Sequence, residues 1–347
     1  MTLLSQLGIR YPIIQAPMAG VQDCALPLAV AAAGGLGSLP AAMLSPTELR
    51  QALRVLKERG QPFNINFFCH RQAEPDPVEA RRWRQALAPY YAEFGLAADA
   101  VLSVPGRAPF SAEQAAILAE FQPAVVSFHF GLPAPALLAS VKAWGARVLA
   151  SATTVAEAVW LTQHGADAII AQGLEAGGHR GHFLDEDLSL QQGTFTLLPQ
   201  IVQAVGLPVI AAGGIVDGKG IRAALALGAS AVQMGTAFLC CHEATTSRLH
   251  RAAIHSAQGQ HTALTNLFSG RPARGIVNRL MRELGPLSAS APAFPHASAA
   301  LAPLRGAAEK SGSHDFSPLW AGQNVTGCLD LPAAELIAIW VAEAGLV

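Results

Sequence analysis

The sequence is poor in charge and in cysteine, and each shortage narrows the class of protein. Only 14% of the 347 residues are charged and the net charge is -1, so neither nucleic acid nor a membrane surface is expected as the main partner. The five cysteines are odd in number and contain no CxxC pair. This predicts a reducing compartment and no zinc site.

Long apolar runs are missing as well. No uncharged apolar stretch approaches the roughly 20 residues of a transmembrane helix, and the first residues lack the charged and apolar regions of a signal peptide. We therefore expect no membrane partner and a cytoplasmic location. Hydrophobic residues as a class are abundant, at 51% of the total, which is enough for one large α/β domain with an insertion or for two domains.

The most informative stretch is residues 208–236. An apolar run ends at Gly213 and Gly214, a short Ala-rich helix follows, and a second apolar run ends at Gly235 and Thr236. This order predicts a βαβ unit whose two glycine turns lie at the same end of a sheet. Backbone N–H groups in such turns can cradle a phosphate, although glycines that only close tight turns would give the same pattern.

Apolar runs of strand length alternate with helical patterns from residue 13 to residue 234. The alternation predicts a (β/α)8 TIM barrel in the α/β class. A doubly wound open sheet is the alternative, because strand order is not visible in a sequence. The eight predicted strands are 13–18, 35–39, 63–68, 124–129, 147–151, 168–172, 208–212 and 231–234.

Polar residues and glycines gather where these strands are expected to end, as ligand-binding residues do in such a barrel. His179 lies between glycines after the sixth strand and is the candidate general base, because histidine titrates near neutral pH. A loop histidine with only structural hydrogen bonds is the alternative. His129, after the fourth strand, is a second catalytic candidate that could orient the substrate, and a packing role is equally compatible. Together with His182 and Glu175 these histidines match no zinc signature, so no metal is predicted.

The barrel pattern ends after Thr236. We expect a helix at 238–256, an irregular Ala-, Ser- and Pro-rich connection at 286–313, and a final helix at 332–344 that docks on the barrel. The segment 248–282 is locally basic, which is typical either of a solvated surface or of a lid that helps to hold an anion. Its arginines are Arg248, Arg251, Arg271, Arg274, Arg279 and Arg282.

These patterns predict three units along the chain. A TIM barrel that binds the cofactor takes residues 1–238, and a smaller lid or insert domain takes 239–313. Residues 314–347 form a C-terminal loop and helix that pack back on the barrel. Residues 319–324 are expected to form a further loop on the ligand side.

Several motifs together resemble the nitronate monooxygenases, formerly called 2-nitropropane dioxygenases, and the resemblance runs almost from end to end. The pair HFG and AGGHRG is similar to the class I group in particular. The GG and GT turns taken singly are shared with other FMN barrels. The motifs are PIIQAPMAG (12–20), NINFF (64–68), SFHFGLP (127–133), IIAQGLEAGGHRG (169–181), PVIAAGGI (208–215), AVQMGTAF (231–238) and SGRPARGIVN (269–278).

The resemblance implies an FMN-dependent enzyme that oxidises alkyl nitronates, such as propionate 3-nitronate, with O2 to a carbonyl compound and nitrite. It implies His179 as base or anion stabiliser and His129 as the second histidine of the site, with a homodimer possible. An NAD(P)H:quinone or enoyl-thioester reductase on the same barrel, a phosphosugar isomerase or lyase, and a non-catalytic flavin binder are the alternatives. The implied cofactor-binding residues are Met18, Asn66, Gln172, Gly177, Gly213, Gly214, Gln233, Met234, Gly235 and Thr236.

Overall fold

Eight parallel strands form a closed barrel in the computed structural model, which describes residues 2–97 and 107–346. In chain order the strands of the molecule are β1 (Ile13–Gln15), β2 (Gly37–Pro40), β3 (Phe63–Phe68), β4 (Val125–His129), β5 (Arg147–Ala152), β6 (Ala168–Gln172), β7 (Gly178–His179), β8 (Val209–Ala212), β9 (Ala231–Met234), β10 (Thr262–Thr265) and β11 (Ala273–Ile276). The barrel order is β1-β9-β8-β6-β5-β4-β3-β2. A parallel bridge between Ile14 and Leu36 joins the two ends, so the predicted barrel is confirmed and the open sheet is excluded.

Helices surround the barrel, and several of them begin at a side-chain cap that the sequence provides. The serine of the Ser45–Glu48 capping box accepts the N–H of Glu48, and the glutamate accepts the N–H of Ser45, which satisfies two otherwise unpaired donors. The helices are α1 (Leu3–Leu7), α2 (Ala25–Ala32), α3 (Pro46–Glu58), α4 (Pro77–Glu93), α5 (Ala112–Phe121), α6 (Pro135–Lys142), α7 (Val155–Gln163), α8 (Thr194–Ala204), α9 (Gly218–Ala226), α10 (Arg248–His255), α11 (Arg279–Leu284), α12 (Ala297–Lys310) and α13 (Ala333–Ala344).

The N-terminal half of the barrel interior is apolar. Side chains such as Ile14, Ile170 and Ile210 meet there, and Leu3 and Leu7 of α1 close the opening below them. This end of the barrel is therefore packed core, which leaves the C-terminal ends of the strands for chemistry.

The segment after Thr236 contains two elements that differ from prediction. The helix expected at 238–256 is wrong for its first half, because α10 begins only after Ser247, whose hydroxyl accepts the N–H of His250. The irregular connection expected at 286–313 is also wrong. Residues 297–310 form α12, despite Pro303 inside it, because five of its residues are buried in the lid core. Tertiary packing here outweighs the local signals for irregular structure.

The lid core is built from more than the predicted insert. Trp83 and Leu87 of α4 pack with Leu280 and Leu304 of the later segment, and the indole Nε1 of Trp83 donates to the carbonyl of Ala297 at 3.0 Å. The domain boundaries stay a prediction, with α4 sharing the hydrophobic core of the lid.

No helix in residues 2–97 and 107–346 is long and apolar enough to cross a membrane. The cytoplasmic location and the possible homodimer stay predictions.

Candidate active site

The C-terminal half of the barrel interior is polar, in contrast to the apolar half below it. Asn64 donates to Ser127 Oγ at 2.9 Å, and so does Asn66 on the same strand. Gln172 and Gln233 lie at the ends of β6 and β9, which flank β8 in the barrel. The candidate residues that follow the strands therefore meet at one end of the barrel, as predicted.

The loop that carries His179 is attached to the lid. Gly178 and His179 form β7, which pairs antiparallel with β11 so that His179 lies opposite Ala273. Gly178 has φ of 72°, a conformation that glycine adopts without strain. The predicted base is thus held between the barrel and the segment that follows β10.

Two predicted site residues hold the backbone of His179. The Nε2 amide of Gln172 donates to the carbonyl of His179 at 3.0 Å, and its Oε1 accepts the N–H of Gly181 at 2.7 Å. Nε2 of His129 lies 3.2 Å from the same carbonyl, and its Nδ1 lies 3.0 Å from the hydroxyl of Ser151. Because a carbonyl only accepts, Nε2 of His129 carries the proton and Nδ1 accepts from Ser151. Burial lowers the pKa of His129 to about 4, which agrees with a neutral ring.

The ring of His179 has one hydrogen-bonded nitrogen. Its Nε2 lies 2.8 Å from Oγ of Ser269, whereas Nδ1 has no hydrogen-bond partner in the part of the chain that the structure describes. The rings of Phe294 and Trp320 lie 5.6 Å from it, centroid to centroid. Burial, followed by the positive charge of Arg107, holds the pKa of His179 well below its usual range, so the ring is neutral and able to accept a proton at pH 7.

Two arginines near His179 lack a carboxylate partner. Arg271 lies with its guanidinium carbon 4.3 Å from the centroid of Phe130 and donates to the carbonyl of His182. Arg107 lies 6.0 Å from the centroid of Phe294. Neither belongs to a salt bridge among the described residues. Burial lowers the pKa of Arg271 to about 10, so both side chains remain cationic and can attract an anion.

The other arginines of the basic segment do not reach this site. Arg274 donates to the carbonyl of Leu174 at 2.8 Å, and Arg251 donates to four backbone carbonyls after β9. Arg279 pairs with Glu93 and Glu283, and Arg248 and Arg282 are exposed. Of the six arginines in the basic segment, only Arg271 therefore lies at the site, as the lid interpretation requires. The others are exposed, form surface salt bridges or donate to backbone carbonyls.

Two buried ionic groups shape the loop around His179 and were not predicted. The fully buried Arg180 donates to the carbonyls of Gln172 and Gly173 at 2.8 and 2.7 Å. Glu157 accepts the N–H of Phe183 at 2.6 Å and that of Thr153 at 2.7 Å. These bonds satisfy the buried charges and fix the loop on both sides of His179.

The glycine turns after β8 and β9 lie at the same end of neighbouring strands, as expected. Gly213 and Gly214 have φ of 123° and 72°, so both need glycine. Gly235 has φ of -113°, and a Cβ there would meet Ala16 only at 3.4 Å, so strain does not require glycine at that position. The backbone N–H groups of Gly214, Gly235 and Thr236 donate no hydrogen bond within the described ranges and are available to a ligand.

The remaining predicted cofactor residues surround these turns. Oε1 of Gln233 is buried without a hydrogen-bond partner among the described residues. Sδ of Met18 lies 3.7 Å from the position of a Cβ on Gly235, and a Cβ on Gly177 would come within 2.6 Å of Gly322 N. The side chain of Met234 packs instead in the outer core between strands and helices, so only its backbone faces the turn.

No metal site is found in the described residues, since nowhere in them do three His, Cys, Asp or Glu side chains come together to hold an ion. The absence of a metal stays a prediction.

Ser269, Arg107 and Phe294 were missed by sequence reasoning. Ser269 is the first residue of the motif SGRPARGIVN (269–278), and its place in that motif was the only signal available. Arg107 and Phe294 lie in stretches without a recognisable pattern, and only the fold brings them next to His179.

Comparison with known proteins gives consistent matches over the whole chain. The family model described as nitronate monooxygenase matches residues 1–343. A nitronate monooxygenase of Pseudomonas aeruginosa is 45% identical over 349 residues, which cover 97% of each chain. The structure of a nitroalkane oxidase from Streptomyces ansochromogenes is 39% identical, with a TM-score of 0.89 over 99% of this chain and 98% of that one. The FabK structure from Thermotoga maritima is 27% identical, with a TM-score of 0.73 over 99% and 96% of the two chains.

Proposed function

The chain belongs to the nitronate monooxygenase family, and on that premise we propose that it oxidises alkyl nitronates with O2 to a carbonyl compound and nitrite, using FMN. The observation that carries this function is the ring of His179, with Nδ1 unbonded among the described residues, beside two arginine cations without a carboxylate partner at the polar end of the barrel. A negatively charged nitronate matches those cations. Propionate 3-nitronate is the substrate that the family resemblance favours.

The residues after β8 and β9 fit the FMN that the family implies. The unpaired N–H groups of Gly214, Gly235 and Thr236 would hold its phosphate. The unpartnered Oε1 of Gln233 would accept the one ring N–H of oxidised flavin, with Met18 against the ring. When bound, the flavin supplies the two-electron acceptor for the nitronate.

His179 is the residue that accepts the proton, and neighbouring residues hold His179 in position. Its ring, neutral at pH 7, accepts the α-proton of a neutral nitroalkane, and the imidazolium that results stabilises the nitronate anion formed beside it. Arg107 and Arg271 attract the anion, and their charges add to burial in lowering the pKa of the ring. His129 and Gln172 hold the His179 carbonyl, so we assign them to positioning rather than to contact with the reacting atoms.

A reductase on the same barrel is the alternative class, followed by a phosphosugar isomerase or lyase and a non-catalytic flavin binder. The family match and the 45% identical relative favour the oxygenase. The test is anaerobic mixing of the purified yellow protein with propionate 3-nitronate and, separately, with NADH. Rapid bleaching by the nitronate alone supports the proposal. Rapid bleaching by NADH alone supports a reductase, and bleaching by neither compound supports a non-catalytic flavin binder. Absence of flavin absorbance refutes the oxygenase, the reductase and the flavin binder together.

A further inference from the structure

A serine from the lid contacts the proposed base. Ser269 lies between β10 and β11, is 1% exposed, and places Oγ 2.8 Å from Nε2 of His179, 90 residues away in the chain. Oγ also lies 3.3 Å from the carbonyl oxygen and 3.4 Å from the amide nitrogen of Arg271. A simple turn role would account for the two contacts with Arg271, but not for the shorter one with the imidazole.

Counting hydrogens separates the two neutral tautomers of His179. If Nε2 carries the proton, it donates to Oγ, the Arg271 amide donates to Oγ, and the hydroxyl donates to the Arg271 carbonyl, so three hydrogen bonds form. If Nδ1 carries the proton, the hydroxyl must turn to Nε2. The carbonyl of Arg271 then loses that donor, and Nδ1–H has no acceptor among the described residues. The first arrangement forms three hydrogen bonds within the protein and the second forms two, so the first is favoured.

We propose that Ser269 is a positioning residue that fixes the Nε2–H tautomer of His179 and so leaves the lone pair on Nδ1 for the substrate proton. The inference rests on the proposed function. In the step, the α C–H bond of a neutral nitroalkane breaks and the Nδ1–H bond forms. The electron pair stays on the substrate as the nitronate, and the resulting imidazolium keeps its Nε2–H bond to Oγ, now charge-assisted.

The first test reads the tautomer directly and does not depend on turnover. Long-range proton–nitrogen NMR spectra of the flavin-containing protein labelled with 15N-histidine are recorded for wild type and Ser269→Ala, and His179→Asn assigns the signals. We expect protonated Nε2 in wild type and a mixture of tautomers in the variant. His129 serves as an internal reference, because its bond to the His179 carbonyl requires Nε2–H in both proteins. An Nδ1–H tautomer in wild type, or an unchanged tautomer in Ser269→Ala, would overturn the proposal.

The second test separates positioning from general damage. Ser269→Ala should slow turnover of a neutral nitroalkane by about 10–100-fold, the effect of losing one hydrogen bond to a charged group, and should change nitronate oxidation much less. The matched control is Ser317→Ala, a buried serine of the C-terminal loop, which donates to Glu309 at 2.7 Å and should leave both rates near wild type.

The pH profile of kcat/KM is a further test, because replacing a serine with a purely structural role would not shift it. The charged and titratable groups that act on His179 are Arg107, His129, Arg271 and His70, and Ser269→Ala changes none of them. Removing the acceptor destabilises the imidazolium, so the pKa of His179 falls and the acid limb of kcat/KM moves to lower pH. The proposal is contradicted if the acid limb of kcat/KM does not move, or if Ser269→Ala slows turnover of the neutral nitroalkane no more than Ser317→Ala does. Failure of wild type to oxidise nitronates would instead refute the proposed function and leave the NMR result to decide the tautomer.

Discussion

Replacing His179 by asparagine tests the proposed base most directly. The variant keeps a polar side chain in the loop but removes the group that accepts a proton. Loss of a positioned general base typically costs about 10²–10⁴ in rate, which corresponds to roughly 3–5 kcal/mol of transition-state stabilisation. We expect this loss for neutral nitroalkanes, while preformed nitronates, which need no proton removed, should lose much less.

The pH dependence follows from the direction of the pKa shift. Burial and the charge of Arg107 hold the pKa of His179 well below its usual range, so the base is already unprotonated near neutrality. For wild type, kcat/KM on a neutral nitroalkane should be level around pH 7 and fall only as the pH drops through the lowered pKa. His179→Asn should lack that fall.

The assay compares freshly diluted nitroalkane with the same compound converted to its nitronate beforehand, and follows nitrite release at several pH values. The control is His164→Asn at the C-cap of α7, outside the site. The Nδ1 atom of His164 lies 2.7 Å from the carbonyl oxygen of Trp160. Equal losses on both substrates with flavin still bound would place His179 in anion binding alone. No loss on either would return it to a structural role and refute the reasoning.

Three further changes test the cradle, the cations and the lid. Gly214→Ala should lower the free energy of unfolding by about 1–2 kcal/mol, because φ is 72° there, and should also lower flavin retention. Gly235→Ala, with φ of -113°, should retain the flavin. Equal flavin absorbance in the two variants would contradict this prediction. Arg271→Met should raise KM for nitronates about tenfold or more and, by removing a cation, move the acid limb to higher pH, so unchanged kinetics would exclude an electrostatic role. Trp83→Ala should lower the free energy of unfolding by about 3–5 kcal/mol in denaturant titrations, and a loss below about 1 kcal/mol would show that α4 is not part of the lid core.

The barrel was predictable because each strand leaves a local signature. A run such as residues 208–212, apolar on both faces and ended by glycine, has few alternatives to a buried parallel strand. The ends of such strands must lie together once the sheet is parallel, so the positions of His179 and of the glycine turns follow from chain order alone. The capping box at Ser45 is equally local and was confirmed.

The lid was not predictable in the same way, since its structure depends on contacts distant in sequence. Residues 297–310 contain Pro303 and Gly306, which suggest irregular chain, yet they form a helix because Leu301 and Leu304 pack against Trp83 of α4. The contact between Ser269 and His179 spans 90 residues, and no periodicity or spacing indicates it. Arg107 likewise gains its role only through the fold.

The two histidines of the site show why residue type alone does not rank candidates for catalysis. His129 comes at the end of a barrel strand and His179 after one, both near glycines, and their residue type does not distinguish them. In the structure both ring nitrogens of His129 are used, one by Ser151 and one by the carbonyl of His179, so this ring has no atom left for a substrate proton. His179 keeps one nitrogen unbonded among the described residues, and burial, followed by the nearby cations, holds its pKa well below the usual range. The distinction lies in which atoms are already hydrogen-bonded, and that is a property of the fold.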